Sequence, residues 1–277
     1  MDSTSLDSLF SVKDKVIVVT GGGGVLCGAF SRGLARLGAQ VAVLDIRFDA
    51  AQRVADDITT QGGVAVPYHV DVLAKDTLER CAAQIMERFG RVDALINGAG
   101  GNQREATCRP DLSFFDLPQD AFQWVFNLNF VGTLLPTQVF GRQMVAQGEG
   151  AIVNVSSINA LRSLTNIPAY SAAKAAVRNF TEWLAVHMGQ GYSPRIRVNA
   201  IAPGFFLTNQ NRFLLVDEHT GQATPRGQAI LAHTPMRRYG EPDELLSTVV
   251  WLLSPGASFV HGATIVVDGG FSAFSGV

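Results

Sequence analysis

The sequence predicts an α/β fold, a doubly wound parallel sheet of about seven strands with helices on both faces. Two observations set the pattern. Short apolar runs alternate with helix-like segments from end to end of the chain. Those runs are apolar throughout rather than at every second residue, as strands covered on both sides require. Composition is the third: 47% of the 277 residues are hydrophobic and 17% are charged, enough apolar surface for both faces of one sheet and too much for a disordered chain.

In order, KVIVVT (15–20) reads as a buried strand and AFSRGLARLG (29–38) as a helix closed by Gly38. QVAVLD (40–45) is the next strand, then a helix near 49–61, a strand at 64–70, a helix near 74–89 and a strand at 92–97 (VDALIN). One long helix is expected over 119–147. The strand AIVNVS (151–156) leads into an Ala-rich helix ending near 188. RIRVNAIA (195–202) is a strand, 241–254 a helix and TIVVD (264–268) the last strand. Residues 1–277 read as one domain with an N-terminal extension at 1–14, since no repeat, low-complexity tract or domain-length linker interrupts them. Segments 101–119 and 205–235 break the rhythm. Loops of that length in a compact domain are usually functional, and both follow strand ends on the ligand side, so they are expected to wall a substrate pocket.

The formal net charge of −2, without a basic stripe, argues against nucleic acid or an anionic membrane surface. No run approaches the ~20 apolar residues of a membrane span. The N-terminus lacks the charged and apolar regions of a signal peptide. Cys27, Cys81 and Cys108 are scattered, with no CxxC pair and no metal-ligand spacing, as expected of reduced thiols in a cytoplasmic protein.

The chemistry concentrates at strand ends. Thr20 is followed by Gly21, Gly22, Gly23 and Gly24, with Val25 and Leu26 next. Glycines at a strand-to-helix turn let backbone amides approach a pyrophosphate at the positive end of a helix. Asp45 closes the second strand 24 residues after Gly21, where a carboxylate can accept ribose hydroxyls and repel a 2′-phosphate. Arg47 stands two residues further on. Tyr170 and Lys174 are four apart, which stacks phenol and ammonium on one helix face. An unperturbed phenol, with a pKa of about 10, is a poor base at neutral pH. A cation one turn away is expected to favour phenolate. Ser157 lies thirteen residues before Tyr170 at a strand end, where its hydroxyl can meet the same substrate oxygen.

Together these residues resemble the short-chain dehydrogenase/reductase family over nearly the whole chain. The resemblance implies a Rossmann-type sheet and hydride transfer between nicotinamide and a CH–OH or keto group. It implies a catalytic group of Asn129, Ser157, Tyr170 and Lys174. Asn129, in NLNFVGT, would kink its helix and order a proton relay. Ser156 would sit fourteen residues before Tyr170 where the family has thirteen, so Ser157 is preferred. Asp71 and Val72, beyond the third strand, match the adenine-contacting position, and Ile46 follows Asp45. Asn97-Gly98-Ala99-Gly100 matches the family's N-N-A-G except at its second residue. Pro203, Gly204, Phe206 and Thr208 fall in a segment like P-G-x-x-x-T, which faces the nicotinamide carboxamide. The glycine turn departs from T-G-x-x-x-G-x-G, with Val25 and Cys27 in place of the second and third glycines. With Asp45 and no basic residue in the turn, NAD is expected over NADP.

For the substrate, Asn102, Arg104, Asn159, Arg162, Asn209 and Arg212 are candidates, with Gln103, Arg109, Gln210 and Asn211 nearby. Guanidinium groups take carboxylates in two-pronged fashion and amides suit hydroxylated carbons, which favours a polyhydroxylated acid. Phe114, Phe115, Phe205, Phe206 and Phe213 could instead line an apolar slot, though at these spacings packing is the commoner use. The segments GAGGNQ, PGFFLTNQNRFLL and DGGFSAFSGV resemble the sugar-acid and polyol branch, nearest to enzymes interconverting D-mannonate and D-fructuronate. Gluconate 5-dehydrogenase-like activity, 3-oxoacyl carrier-protein reduction and a non-catalytic NAD-binding regulator are the alternatives. The family resemblance also implies helix contacts between subunits and a homotetramer. Phe130, Leu134, Phe140, Phe180 and Trp183 are expected at the surface, and the tail FSAFSGV at a second interface or a neighbouring pocket.

Overall fold

The computed structural model describes residues 6–207, 212–217 and 220–276. Seven strands form one parallel sheet in the order β3-β2-β1-β4-β5-β6-β7. They are β1 (Val16–Thr20), β2 (Gln40–Asp45), β3 (Val64–His69), β4 (Ala94–Asn97), β5 (Gly150–Val155), β6 (Ile196–Pro203) and β7 (Thr264–Val267). After a short turn α1 (Leu6–Leu9), the helices are α2 (Val25–Arg36), α3 (Phe48–Thr60), α4 (Lys75–Phe89), α5 (Gln119–Phe126) and α6 (Gly132–Gln147). Then follow α7 (Pro168–Gly191), α8 (Arg212–Leu215), α9 (Pro225–His233) and α10 (Leu246–Leu253).

Apolar runs form these strands because both faces are covered. Ile17 and Val19 of β1 pack with Phe30 and Leu34 of α2, Val54 and Ile58 of α3, and Val249 and Leu252 of α10. Their neighbours Val16 and Val18 point the other way, toward Leu78 and Ile85 of α4, Phe140 and Met144 of α6, and Leu184 of α7. The period-two alternation of a strand thus feeds two cores at once. Pro67 lies in β3, at the border of the sheet, where a missing N–H costs no ladder bond. Order reverses between β1 and β4, and the crevice above their carboxyl ends is where such sheets bind ligands.

Three expectations need correction. The helix expected over 119–147 is interrupted by a π-helical turn at Asn127–Val131, so α5 and α6 are separate pieces. The stretch 205–235, read as loop, contains α9. Its start was written in the chain: Thr224 Oγ1 accepts the amide of Gly227 at 3.1 Å, and Pro225 holds the first helical position. Phe140, expected at the surface, is fully buried beneath α6, whereas Trp183 is 56% exposed. Among the described residues no helix is long and apolar enough to cross a membrane, and no His, Cys, Asp and Glu group is arranged for a metal ion.

Candidate active site

The turn after β1 is built around Gly21, whose φ of +64° suits glycine; a Cβ there would stand 2.9 Å from Ala99 Cα. The amide of Gly24 closes the turn on Gly21 O at 2.9 Å. The Asp45 carboxylate is nearly buried and accepts two backbone amides, Gly23 on Oδ2 at 3.0 Å and Arg47 on Oδ1 at 2.9 Å. Each oxygen keeps acceptor capacity for a further donor. A groove of about 690 Å³ runs from here across the sheet to α7.

Most of the anticipated cofactor residues line this groove. Gly21, Gly23, Gly24, Val25 and Leu26 form one wall. Asp45, Ile46, Asp71 and Val72 stand at the β2–β3 end. Gly98, Ala99 and Gly100 make the floor, and Tyr170 and Lys174 close the other end. Gly22 lies behind the wall, its amide donating to Leu44 O and its Cα against Val43. Asn97 points into the core, where Nδ2 donates to Thr137 Oγ1 at 2.8 Å and Asn154 Oδ1 at 2.9 Å. Pro203 and Gly204 do not reach the groove, and Phe206 is a core residue whose ring covers Gly240. Thr208 and Asn209 lie outside the described residues, as do Gln210 and Asn211. The groove also takes in Arg47, Arg53, Cys27, Leu128 and Val155, which the motifs do not single out. For Arg47 a signal existed, its position two residues beyond Asp45.

Four polar side chains converge at the α7 end. Tyr170, on the first turn of α7, lies near enough to Ser157 for that hydroxyl to favour its phenolate. Lys174, one turn on, is 4% exposed; its Nζ donates to Val155 O at 2.8 Å and sits 5.5 Å from the Tyr170 ring centroid. Asn129 is fully buried at the centre of the π-helical turn. Its Nδ2 donates to Gly101 O at 2.7 Å and Val125 O at 2.8 Å, and its Oδ1 accepts from Gly101 N at 3.2 Å. Gly100 separates Asn129 from Lys174: a Cβ on it would lie 2.6 Å from Oδ1 and 3.4 Å from Nζ. Ser156 faces the other way, its Oγ donating to Lys174 O at 3.1 Å.

The electrostatics differ from the expectation in one respect. Burial pushes the Tyr170 phenol above its ordinary value, and the counterweight is the Ser157 hydroxyl rather than a charge on Lys174. Lys174 is itself brought down to about 8 by burial, with the Cys27 thiol acting weakly in the other direction. An ammonium above the ring, anchored on a carbonyl, stabilises phenolate less than one aimed at the phenol oxygen.

The anticipated substrate residues are more dispersed. Asn159 is nearest, its backbone N and Nδ2 donating to Ser157 Oγ at 3.2 and 3.1 Å and its Oδ1 accepting from Ser171 at 3.2 Å. Arg162 reaches the C-terminal tail, where Nε and one terminal nitrogen donate to Ser272 O at 3.1 and 2.8 Å. Asn102 donates to Thr107 Oγ1 at 2.9 Å, and Arg104 and Arg212 are exposed. The tail itself folds back on its own chain, with Phe271 against Phe205 and His233.

Comparison with known proteins now decides the family. The profile of the family described as "Enoyl-(Acyl carrier protein) reductase" matches residues 26–272. An uncharacterized oxidoreductase of Bacillus subtilis is 47% identical over 95% of this chain and 96% of its own length. The chain belongs to the short-chain dehydrogenase/reductase family. An uncharacterized oxidoreductase of Haemophilus influenzae is 46% identical over 96% of each chain. A crystal structure from that organism, of a provisionally assigned D-mannonate oxidoreductase with bound NAD, superposes with a TM-score of 0.91 at 45% identity, covering 99% of this chain and 100% of the other. As a short-chain dehydrogenase/reductase, the protein is a nicotinamide-dependent oxidoreductase acting on CH–OH groups.

Two departures from the short-chain dehydrogenase/reductase pattern prove to be neighbours. Cys27, where that pattern has glycine, lays its sulfur on Gly98, where the pattern has asparagine; a Cβ at 98 would lie 2.0 Å from Sγ. Val25 opens α2 and lines the groove.

Proposed function

We propose that the protein interconverts D-mannonate and D-fructuronate with NAD. The observation that carries the reading is one continuous groove with the Asp45 carboxylate at one end and Tyr170 and Lys174, beside Ser157, at the other. Its volume suits a dinucleotide, and the glycine floor leaves room for one. Asp45 would hold the adenosine ribose, the glycine turn the pyrophosphate, and Lys174 the nicotinamide ribose. NAD, when bound, supplies the carbon that accepts hydride.

The chain's own residues handle the proton. In the oxidative direction Ser157 donates a hydrogen bond to the reacting oxygen and steadies its partial charge. Tyr170, as phenolate, takes the hydroxyl proton while the C–H electrons leave as hydride. Lys174 holds charge beside that phenol, and Asn129 fixes the Gly100–Gly101 turn between them. Asn159 orients the Ser157 hydroxyl by donating to its oxygen. The described parts of segments 101–119 and 205–235, with Asn102, Arg104 and Arg212, and with Arg162 beside the tail, would wall a pocket for a hydroxylated carboxylate. Similarity to the Haemophilus influenzae protein provisionally assigned as a D-mannonate oxidoreductase supports this substrate class.

The same reading makes the enzyme a cytoplasmic homotetramer. Phe126, Phe130, Phe180, Trp183, His187 and Tyr192 form a ladder of ring contacts along α5 to α7, ending in rings more than half exposed, a face suited to a second copy. Light scattering on the purified protein tests the assembly. Following NADH absorbance with D-fructuronate, 5-keto-D-gluconate and a 3-oxoacyl thioester tests the substrate. Fastest turnover of D-fructuronate is expected; faster reduction of either rival reassigns the reaction.

A further inference from the structure

Two turns make the floor of the groove, one after β1 and one after β4, and they meet along a seam with little slack. Thr20 Oγ1 accepts the amides of Gly98 and Ala99 at 3.1 and 3.2 Å. Gly21 presses on Ala99, as described above. The tightest point joins Cys27 to Gly98. A Cβ on Gly98 would come within 2.0 Å of Cys27 Sγ but would stand 3.6 Å from Cys27 Cβ, an ordinary contact. The sulfur is therefore the main obstacle to a side chain at 98, with Thr20 O at 3.0 Å a lesser one. Both residues also line the groove. Lys174 is close enough for thiol and ammonium to act on one another electrostatically. Cys27 is 5% exposed and burial pushes its thiol up to about 12, so it serves as a neutral packing group and not as a nucleophile.

The geometry points to Cys27 and Gly98 as a paired positioning element for the dinucleotide. The sulfur, seated on the bare Cα of Gly98, sets the spacing between the phosphate-side turn and the turn beneath the nicotinamide half. This rests on the cofactor reading above. Bulk at one position requires its absence at the other. A side chain added at 98 alone must lift the floor near Gly100 and Lys174. It leaves the adenosine end untouched, because Asp45, Ile46, Asp71 and Val72 stand at or just beyond the ends of β2 and β3, away from the seam.

The test is a double-mutant cycle of Gly98→Ala and Cys27→Ala, with NAD and AMP affinities measured by calorimetry and thermal midpoints alongside. Overpacking makes Gly98→Ala weaken NAD about tenfold or more while AMP changes less than about twofold. Cys27→Ala, which removes the spacing sulfur, weakens NAD by about two- to threefold with AMP changed less, and in the double variant NAD affinity returns to within about threefold of wild type. Full recovery is not expected, because the added methyl also lies 3.0 Å from Thr20 O. A purely structural pair would lower the midpoint and weaken AMP and NAD together. Wild-type NAD affinity in Gly98→Ala, equal losses for the two ligands, or no recovery in the double variant would overturn the proposal. Should Gly98→Ala not fold, the double variant carries the test: it must fold and bind NAD, and its failure to do so refutes the pairing. A wild-type protein that binds no NAD brings down the cofactor reading and the proposal with it; an uncoupled cycle on a protein that binds NAD sinks the seam alone.

Discussion

The groove over β1, β4 and β5 is shaped by backbone, glycine and buried polar groups, while the surfaces beyond Ser157 and β6 are shaped by long side chains that grip one another. In the groove, Asp45 is fixed by two amides and Asn129 by three hydrogen bonds to backbone groups. On the other side, Arg162 is spent on a tail carbonyl and Arg238 on Glu244. The lesson is that the dinucleotide half is organised ahead of its ligand. The surface proposed for the substrate is held by exposed contacts that cost little to rearrange.

That contrast can be broken in four places. The largest effect belongs to Tyr170→Phe: turnover should fall by about 10²–10⁴-fold while NAD affinity holds within about twofold, read by steady-state kinetics and calorimetry. Near-normal turnover would remove Tyr170 from the chemistry. Next is Asp45→Ala, which deletes a charged acceptor and should weaken NAD by about 10–100-fold, narrowing its advantage over NADP. An unchanged NAD-to-NADP ratio would mean that Arg47 and Arg53, not the carboxylate, read the ribose. Smaller still is Arg162→Ala. Freeing the tail should raise KM for the sugar acid by about three- to tenfold with NAD affinity unchanged. A matching loss of NAD affinity would show that the two halves are not independent.

The smallest effect tests what the organised half costs in stability. Lys174 is held at about 8 against 10.5 in the unfolded chain. Between those values the unfolded chain keeps a proton that the folded chain has shed, so stability rises with pH across that window, and the full penalty applies below pH 8. Lys174→Met should therefore abolish activity yet raise the melting midpoint at pH 7 by a few degrees, corresponding to about 2 kcal/mol or less. The gain should shrink toward pH 10.5. Equal gains at both pH values would deny the titration.

Much of the fold was legible because uniform apolar runs admit few packings, and the parallel doubly wound sheet followed from their alternation with helices, though not the order of its strands. The gathering of Tyr170 and Lys174 at one end of the groove was legible because their spacing is helical. What escaped notice depends on partners distant in sequence. Phe140 was misplaced because a ring on a mixed helix carries no sign of its facing partner. Gly98 looked like a lapse in a motif until Cys27 was seen against it. The contact of the Lys174 ammonium with Val155 O has no sequence mark. The tail's grip on Arg162 joins residues 110 apart and could not be foreseen.

The π-helical turn at Asn127–Val131 holds one residue more than an α-helix would use. Removing that surplus, for example by deleting Phe130, would restore an unbroken rod from Gln119 to Gln147. Each residue of helix is worth about 100° of rotation, so regularity would come only by swinging the upstream half, and Asn129 with it, off the Gly101 loop. The smoother helix would belong to a protein that has lost its grip on its own catalytic turn.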